Sequence, residues 1–134
     1  MAIVQDEILG IRSPEDIVQV RRVVREWSIA SGFSLVEQTK LVTAASELAR
    51  NTLMYGGGGE VQVQRLNDDQ RRGVRLEFRD KGPGIPDIER ALRDGYTTGG
   101  GLGLGLGGAR RLANDFDIQS EPGQGTIVTI ARWK

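Results

Sequence analysis

The chain has 134 residues, enough for one domain with a buried core, and its 18 basic and 18 acidic side chains cancel. With no long basic run and no apolar stretch near the length of a membrane span, nucleic acid and an anionic membrane surface are poor default partners. Cysteine and histidine are both absent, which excludes disulfides, thiolate or imidazole metal sites, a Ser-His-Asp triad and a phosphohistidine on this chain.

Residues 2–11 read as a strand with partial alternation. Ser13-Pro14 then signals a helix start, Ser13 as N-cap and Pro14 at the first helical position, with Glu15 and Asp16 in the first turn. Ile17, Val20, Val24 and Trp27 recur at helical spacing, and Ser31-Gly32 ends the segment. Arg21, Arg22 and Arg25 fall mainly off that face and read as solvated. A second helix opens on the capping-box pattern from Ser34 to Glu37 and runs to about Tyr55, where four glycines stop it. Its apolar stripe is Leu41, Ala44, Ala45 and Leu48, with Glu47 and Asn51 one turn apart at the edge.

Residues 60–67 and 72–80 form an expected antiparallel hairpin around an Asn-Asp-Asp turn. In its second strand Val74, Leu76 and Phe78 share one face, and the period of two puts Asp80 on that same apolar side. A carboxylate ending a core-facing row needs donors nearby. A short helix is expected from about Pro86 to Arg93. Seven of the ten residues from 99 to 108 are glycine, and they lead into a helix with Leu106, Ala109, Leu112 and Ala113 inward and Arg110 and Arg111 outward. Residues 116–121 and 126–133, joined by Pro-Gly-Gln-Gly, make a closing hairpin. This order predicts a single domain over residues 1–134: an α/β (α+β) two-layer sandwich whose mixed, mainly antiparallel sheet carries helices on one face.

Four segments look coordinated: Glu47-x-x-x-Asn51, Asp80-x-Gly82-x-Gly84, the glycine run at 99–108, and Gly123-x-Gly125-Thr126. Each alone has an ordinary structural reading, as helix edge, turn, flexible loop and hairpin turn. Together they suit ATP with magnesium. Asn51 offers a neutral oxygen to a hard cation, and Glu47 sits where it can orient a water or accept a hydroxyl proton. The Asp80 carboxylate can accept from the adenine amine, and the glycine amides can receive phosphates ahead of a helix N-terminus.

These motifs resemble the N, G1 and G2 boxes of the GHKL ATPase superfamily, and within it the anti-sigma-factor serine/threonine kinases of the stressosome branch. The resemblance rests on Ser46-Glu-Leu-Ala-Arg-Asn51, Asp80-Lys-Gly-Pro-Gly-Ile-Pro-Asp87, Asp94-Gly-Tyr-Thr-Thr-Gly-Gly-Gly-Leu-Gly103 and Gly123-Gln-Gly-Thr126. It implies a Bergerat fold, ATP and Mg2+ as cofactors, and phosphorylation of Ser or Thr on STAS-domain scaffold or antagonist proteins, with a downstream effector such as a phosphatase. By position it assigns Glu47 as general base, Asn51 as magnesium ligand and Asp80 as adenine reader. Nucleotide contacts fall to Asn51, Asp80, Gly82, Gly84, Ile85, Gly99, Gly100, Gly101, Leu102, Gly103, Leu104, Gly105 and Thr126. Many relatives carry a His just beyond the Asn; Leu53, Met54 and Tyr55 stand here instead, as in the stressosome branch.

The alternative is an ATP-binding partner-switching regulator with little or no kinase activity. A histidine-kinase catalytic domain working in trans and a clamp-type ATPase fit less well, for want of dimerisation helices and a transducer domain. The absence of cysteine and of a signal-peptide pattern sets the expectation of a cytoplasmic protein.

Overall fold

The computed structural model describes residues 2–85, 87–92 and 105–134. Strand β1 spans Ala2–Ile11, helix α1 Pro14–Ala30 and helix α2 Leu35–Met54. Strands β2 (Gly59–Asn67) and β3 (Arg72–Asp80) follow, then the short helix α3 (Ile88–Ala91) and α4 (Gly105–Leu112). The hairpin of β4 (Asp115–Glu121) and β5 (Gly125–Trp133) closes the chain.

Local chemistry accounts for most boundaries. At α2 the capping box is complete: Ser34 Oγ accepts from the Glu37 amide at 3.2 Å, and Glu37 Oε1 accepts from the Ser34 amide at 3.0 Å. The start of α1 differs from expectation. Ser13 sits at the N-cap without a side-chain cap bond, and Asp16 Oδ2 instead accepts from the Arg12 amide at 2.8 Å. The carboxylate at the third helical position thus ties down the residue before the cap, while the Asp16 amide is taken by the Ser13 carbonyl at 3.0 Å. At the β2–β3 turn Asp68 Oδ1 accepts from the amides of Gln70 and Arg71, both at 2.8 Å, which fixes the reversal.

The five strands lie in the order β1-β2-β3-β5-β4, and every pairing among the described residues is antiparallel rather than mixed. The registers show why. β4 runs in the same sense as β3, but β5 turns back at Glu121–Gly125 and slots between them. Helices cover one face, where Val61, Val63, Val74, Leu76 and Ile130 are wholly buried beneath Val20, Val24, Leu41 and Leu48. Each such side chain contributes about 1.5–3 kcal/mol relative to exposure. On α1 the buried face runs through Val20, Val23, Val24 and Trp27, with Ile17 only partly covered. The other sheet face is polar: Arg79 bonds Glu60 and Glu77, each at 2.7 Å. Both pairs are solvated and add little to stability. No helix among the described residues is long and apolar enough to cross a membrane.

Candidate functional site

The covered face leaves a cavity of about 330 Å3 where the end of α2, the end of β3 and the start of β5 converge. Its apolar wall includes Leu48, Phe78, Leu106 and Val128; its polar groups include Asn51, Asp80 and Thr126. That volume lies at the small end of ligand cavities.

Asn51 reaches this cavity from the last turn of α2, a helix that begins at a fixed cap. Its carbonyl accepts from the Tyr55 amide at 2.9 Å and the Gly56 amide at 3.2 Å, closing the last turn. Glu47, one turn earlier, is only 7% exposed. It does not line the cavity.

Asp80 ends the inward row of β3, as the period of two requires, and its carboxylate reaches the cavity half-buried. Oδ1 accepts from the Gly82 amide at 2.9 Å. Burial pushes this carboxyl above its ordinary value, while the amides of Gly82 and Thr126 pull it the other way. Close packing makes room for it. A Cβ on Gly56 would lie 2.4 Å from Asp80 Cγ, and one on Gly82 would lie 2.7 Å from Gly56 Cα. Gly125, at φ +88, would set a Cβ 2.1 Å from the Asp80 carbonyl oxygen, so backbone conformation and contact both demand glycine there.

Thr126 is the register partner of Asp80 across β3–β5, and Ser120 is the register partner of Thr126 across β5–β4. The three polar side chains therefore form one row on the helix-facing side, at the cavity end of the sheet. Ser120 Oγ accepts from the Ile85 amide at 2.7 Å, lies 3.1 Å from the Gly125 carbonyl and 3.0 Å from Thr126 Oγ1. The Gly123 amide donates to the Pro83 carbonyl at 2.7 Å. The segment after Asp80 is thereby tied to the β4–β5 turn.

Of the residues singled out from sequence, Asn51, Asp80, Gly84, Ile85, Gly105 and Thr126 line this one cavity. Gly82 stands behind Asp80 as an amide donor and does not line the cavity. Gly105 is buried at the first position of α4. Gly99, Gly100, Gly101, Leu102, Gly103 and Leu104 lie outside the described residues, as do Pro86 and Arg93 at the expected ends of the short helix. Among the described residues no cluster of three carboxylates offers a cation cage. A single amide oxygen is the donor set that suits magnesium when phosphates and water supply its other ligands.

Ser120 and Gly56 are among the contributors that were not anticipated. Ser120 was within reach of the alternation rule that marked Asp80, because it ends the inward row Phe116, Ile118, Ser120. Gly56 carried no such signal; its place against Asp80 exists only in three dimensions.

A family model described as histidine kinase-, DNA gyrase B-, and HSP90-like ATPase matches residues 36–134. The chain is 41% identical over 118 residues to the serine/threonine-protein kinase RsbT of Bacillus subtilis (strain 168), covering 88% of this chain and 89% of that one. It is 32% identical over 103 residues to the anti-sigma F factor of Bacillus licheniformis, covering 72% and 69%. Among solved structures, the RsbU and RsbW domains of a Mycobacterium tuberculosis protein match with a TM-score of 0.66 at 19% identity. That match takes in 98% of this chain and 33% of the other, and it is a likeness of fold.

Proposed function

The chain belongs to the histidine kinase-, DNA gyrase B- and HSP90-like ATPase family, which implies ATP binding, and on that premise we propose that it is an ATP-dependent serine/threonine protein kinase. Its substrates in this reading are STAS-domain proteins of a partner-switching pathway. The observation that carries the proposal is the cavity that gathers Asn51, Asp80 and Thr126 from three separate elements. Kinship to a serine/threonine-protein kinase at 41% identity supports the reaction class.

In this reading the Asp80 carboxylate accepts from the exocyclic amine of adenine, and Gly82, Gly84 and Ile85 frame the base with Thr126 beneath it. Gly105 and residues 99–104 keep their assignment to the phosphates. Asn51 would hold magnesium together with the phosphates, and the metal would supply charge neutralisation for the transferring phosphoryl group. Glu47 takes the proton of the partner's hydroxyl as its oxygen bonds to the γ-phosphorus, and the bond to ADP breaks. Phosphorylation adds charge to the partner and changes which protein the kinase occupies, a downstream effector such as a phosphatase among them.

A second reading, an ATP-binding regulator with little transfer activity, is favoured by one observation: Glu47 is buried and stands apart from the cavity lining. One experiment separates the two. The purified chain is incubated with γ-labelled ATP, magnesium and a purified STAS-domain protein. Label on a partner Ser or Thr is expected, with Glu47→Ala losing transfer by about 100-fold or more while ATP affinity is kept. An unlabelled partner alongside measurable ATP binding favours the regulator. Full transfer by Glu47→Ala removes the residue from its role as base.

A further inference from the structure

Ser120 lies outside the cavity lining, yet three hydrogen-bond partners converge on its single hydroxyl. The proton count constrains them. The Ile85 amide can only donate to Ser120 Oγ, which occupies one lone pair. The Gly125 carbonyl can only accept, so it takes the one proton that Ser120 owns. The remaining contact, to Thr126 Oγ1 at 3.0 Å, then closes only if Thr126 is the donor. In this arrangement every group at Ser120 is satisfied. The reverse, Ser120 donating to Thr126, leaves the Gly125 carbonyl without the serine proton.

The consequence falls on the cavity. With its proton committed to Ser120, Thr126 Oγ1 has only lone pairs left for a ligand in the cavity that Thr126 lines, and the neighbouring Asp80, in its carboxylate form, likewise offers only acceptors. The polar row at this end of the sheet is a surface of acceptors. It fits a ring edge that presents an amine and opposes one that presents a carbonyl oxygen. Resting on the nucleotide reading above, we propose that Ser120 is a positioning residue that acts through Thr126 to set the preference for a 6-aminopurine over a 6-oxopurine. The Ile85 amide bond gives it a second task, holding the segment after Asp80 against the same edge.

The test is a binding ratio and needs no turnover. Dissociation constants for ATP and GTP, each with magnesium, are measured by calorimetry for the wild-type chain, Ser120→Ala, Ser120→Thr, Thr126→Val and the double variant Ser120→Ala/Thr126→Val. The wild-type chain is expected to prefer ATP. Ser120→Ala should lower that preference by about tenfold or more, because the freed Thr126 hydroxyl can then donate to a carbonyl oxygen. Ser120→Thr, which keeps the hydroxyl, should restore it. Thr126→Val should lower the preference similarly, and the double variant should lower it no further, since the two residues act as one relay. If Ser120→Ala does not fold, Thr126→Val against wild type carries the test. Loss of affinity for ATP and GTP in equal proportion, with the ratio unchanged, overturns the proposal and leaves Ser120 a structural tie. A wild-type chain that binds ATP without preferring it to GTP also overturns it. A wild-type chain that binds neither nucleotide overturns the nucleotide reading, and this inference with it.

Discussion

Asp80 is the residue at which folding and function pull in opposite directions. Its carboxyl is raised from its ordinary value chiefly by desolvation, against the amides of Gly82 and Thr126. The sign follows from linkage: a carboxyl raised on folding disfavours its ionised form in the native state. Its cost to stability is therefore absent below the unfolded value and grows as pH rises through the folded one. Asp80→Asn should raise the midpoint of thermal unfolding at pH 7, with the gain shrinking as pH falls toward the ordinary carboxylate range. The same substitution should weaken ATP binding by about tenfold or more, because a half-buried carboxylate acceptor is lost. Calorimetric unfolding across pH and an ATP titration check the two halves. A variant both less stable and unaltered in ATP affinity would contradict the role given to Asp80. At this scale alternation along β3 was enough to mark the carboxylate. Gly56, whose missing side chain makes space for it, was legible only as a helix stop.

Among the elements, α2 matters most, because its phase decides where Asn51 and Glu47 point. That phase is set at the far end by the capping box, in which Glu37 is held below its ordinary value first by the Ser34 amide. Ser34→Ala should cost about 1 kcal/mol of stability in denaturant unfolding. Ser13→Ala, at the equivalent position of α1, should cost under about 0.5 kcal/mol, because Ser13 makes no side-chain cap bond. Equal losses at the two positions would show that cap geometry is not what distinguishes them. Both serines look alike as sequence signals. The difference arises because Asp16 turns back to the Arg12 amide, so one start is held by a carboxylate and the other by a reciprocal pair.

For the whole molecule, the site exists because distant pieces of chain meet. β3 ends on Asp80, Thr126 is the second residue of β5, and the antiparallel register sets them side by side beneath the end of α2. A ligand held by all three should bind the folded chain and not the unfolded one. ATP with magnesium at 100 times its dissociation constant should therefore add about 2.7 kcal/mol to stability. That corresponds to a rise of roughly 10 °C in the unfolding midpoint for a domain of this size. A midpoint that stays flat through an ATP titration would argue against a nucleotide in this cavity.

What the amino-acid order determined by itself was local: strand faces, helix stripes, the complete cap at Ser34, and the inward turn of Asp80. These depend on repeat periods and on groups within a few residues of one another, and they also carried the family motifs that joined the segments into one expected site. Tertiary structure decided the rest. The slotting of β5 between β3 and β4 made the expected mixed, mainly antiparallel sheet antiparallel at every pairing among the described residues, and it aligned Asp80, Thr126 and Ser120 in a single row. The close approach of Gly56, Gly82 and Asp80 belongs with them. Such contacts join residues far apart along the chain, and no local period encodes their register; only the pairing of whole strands does.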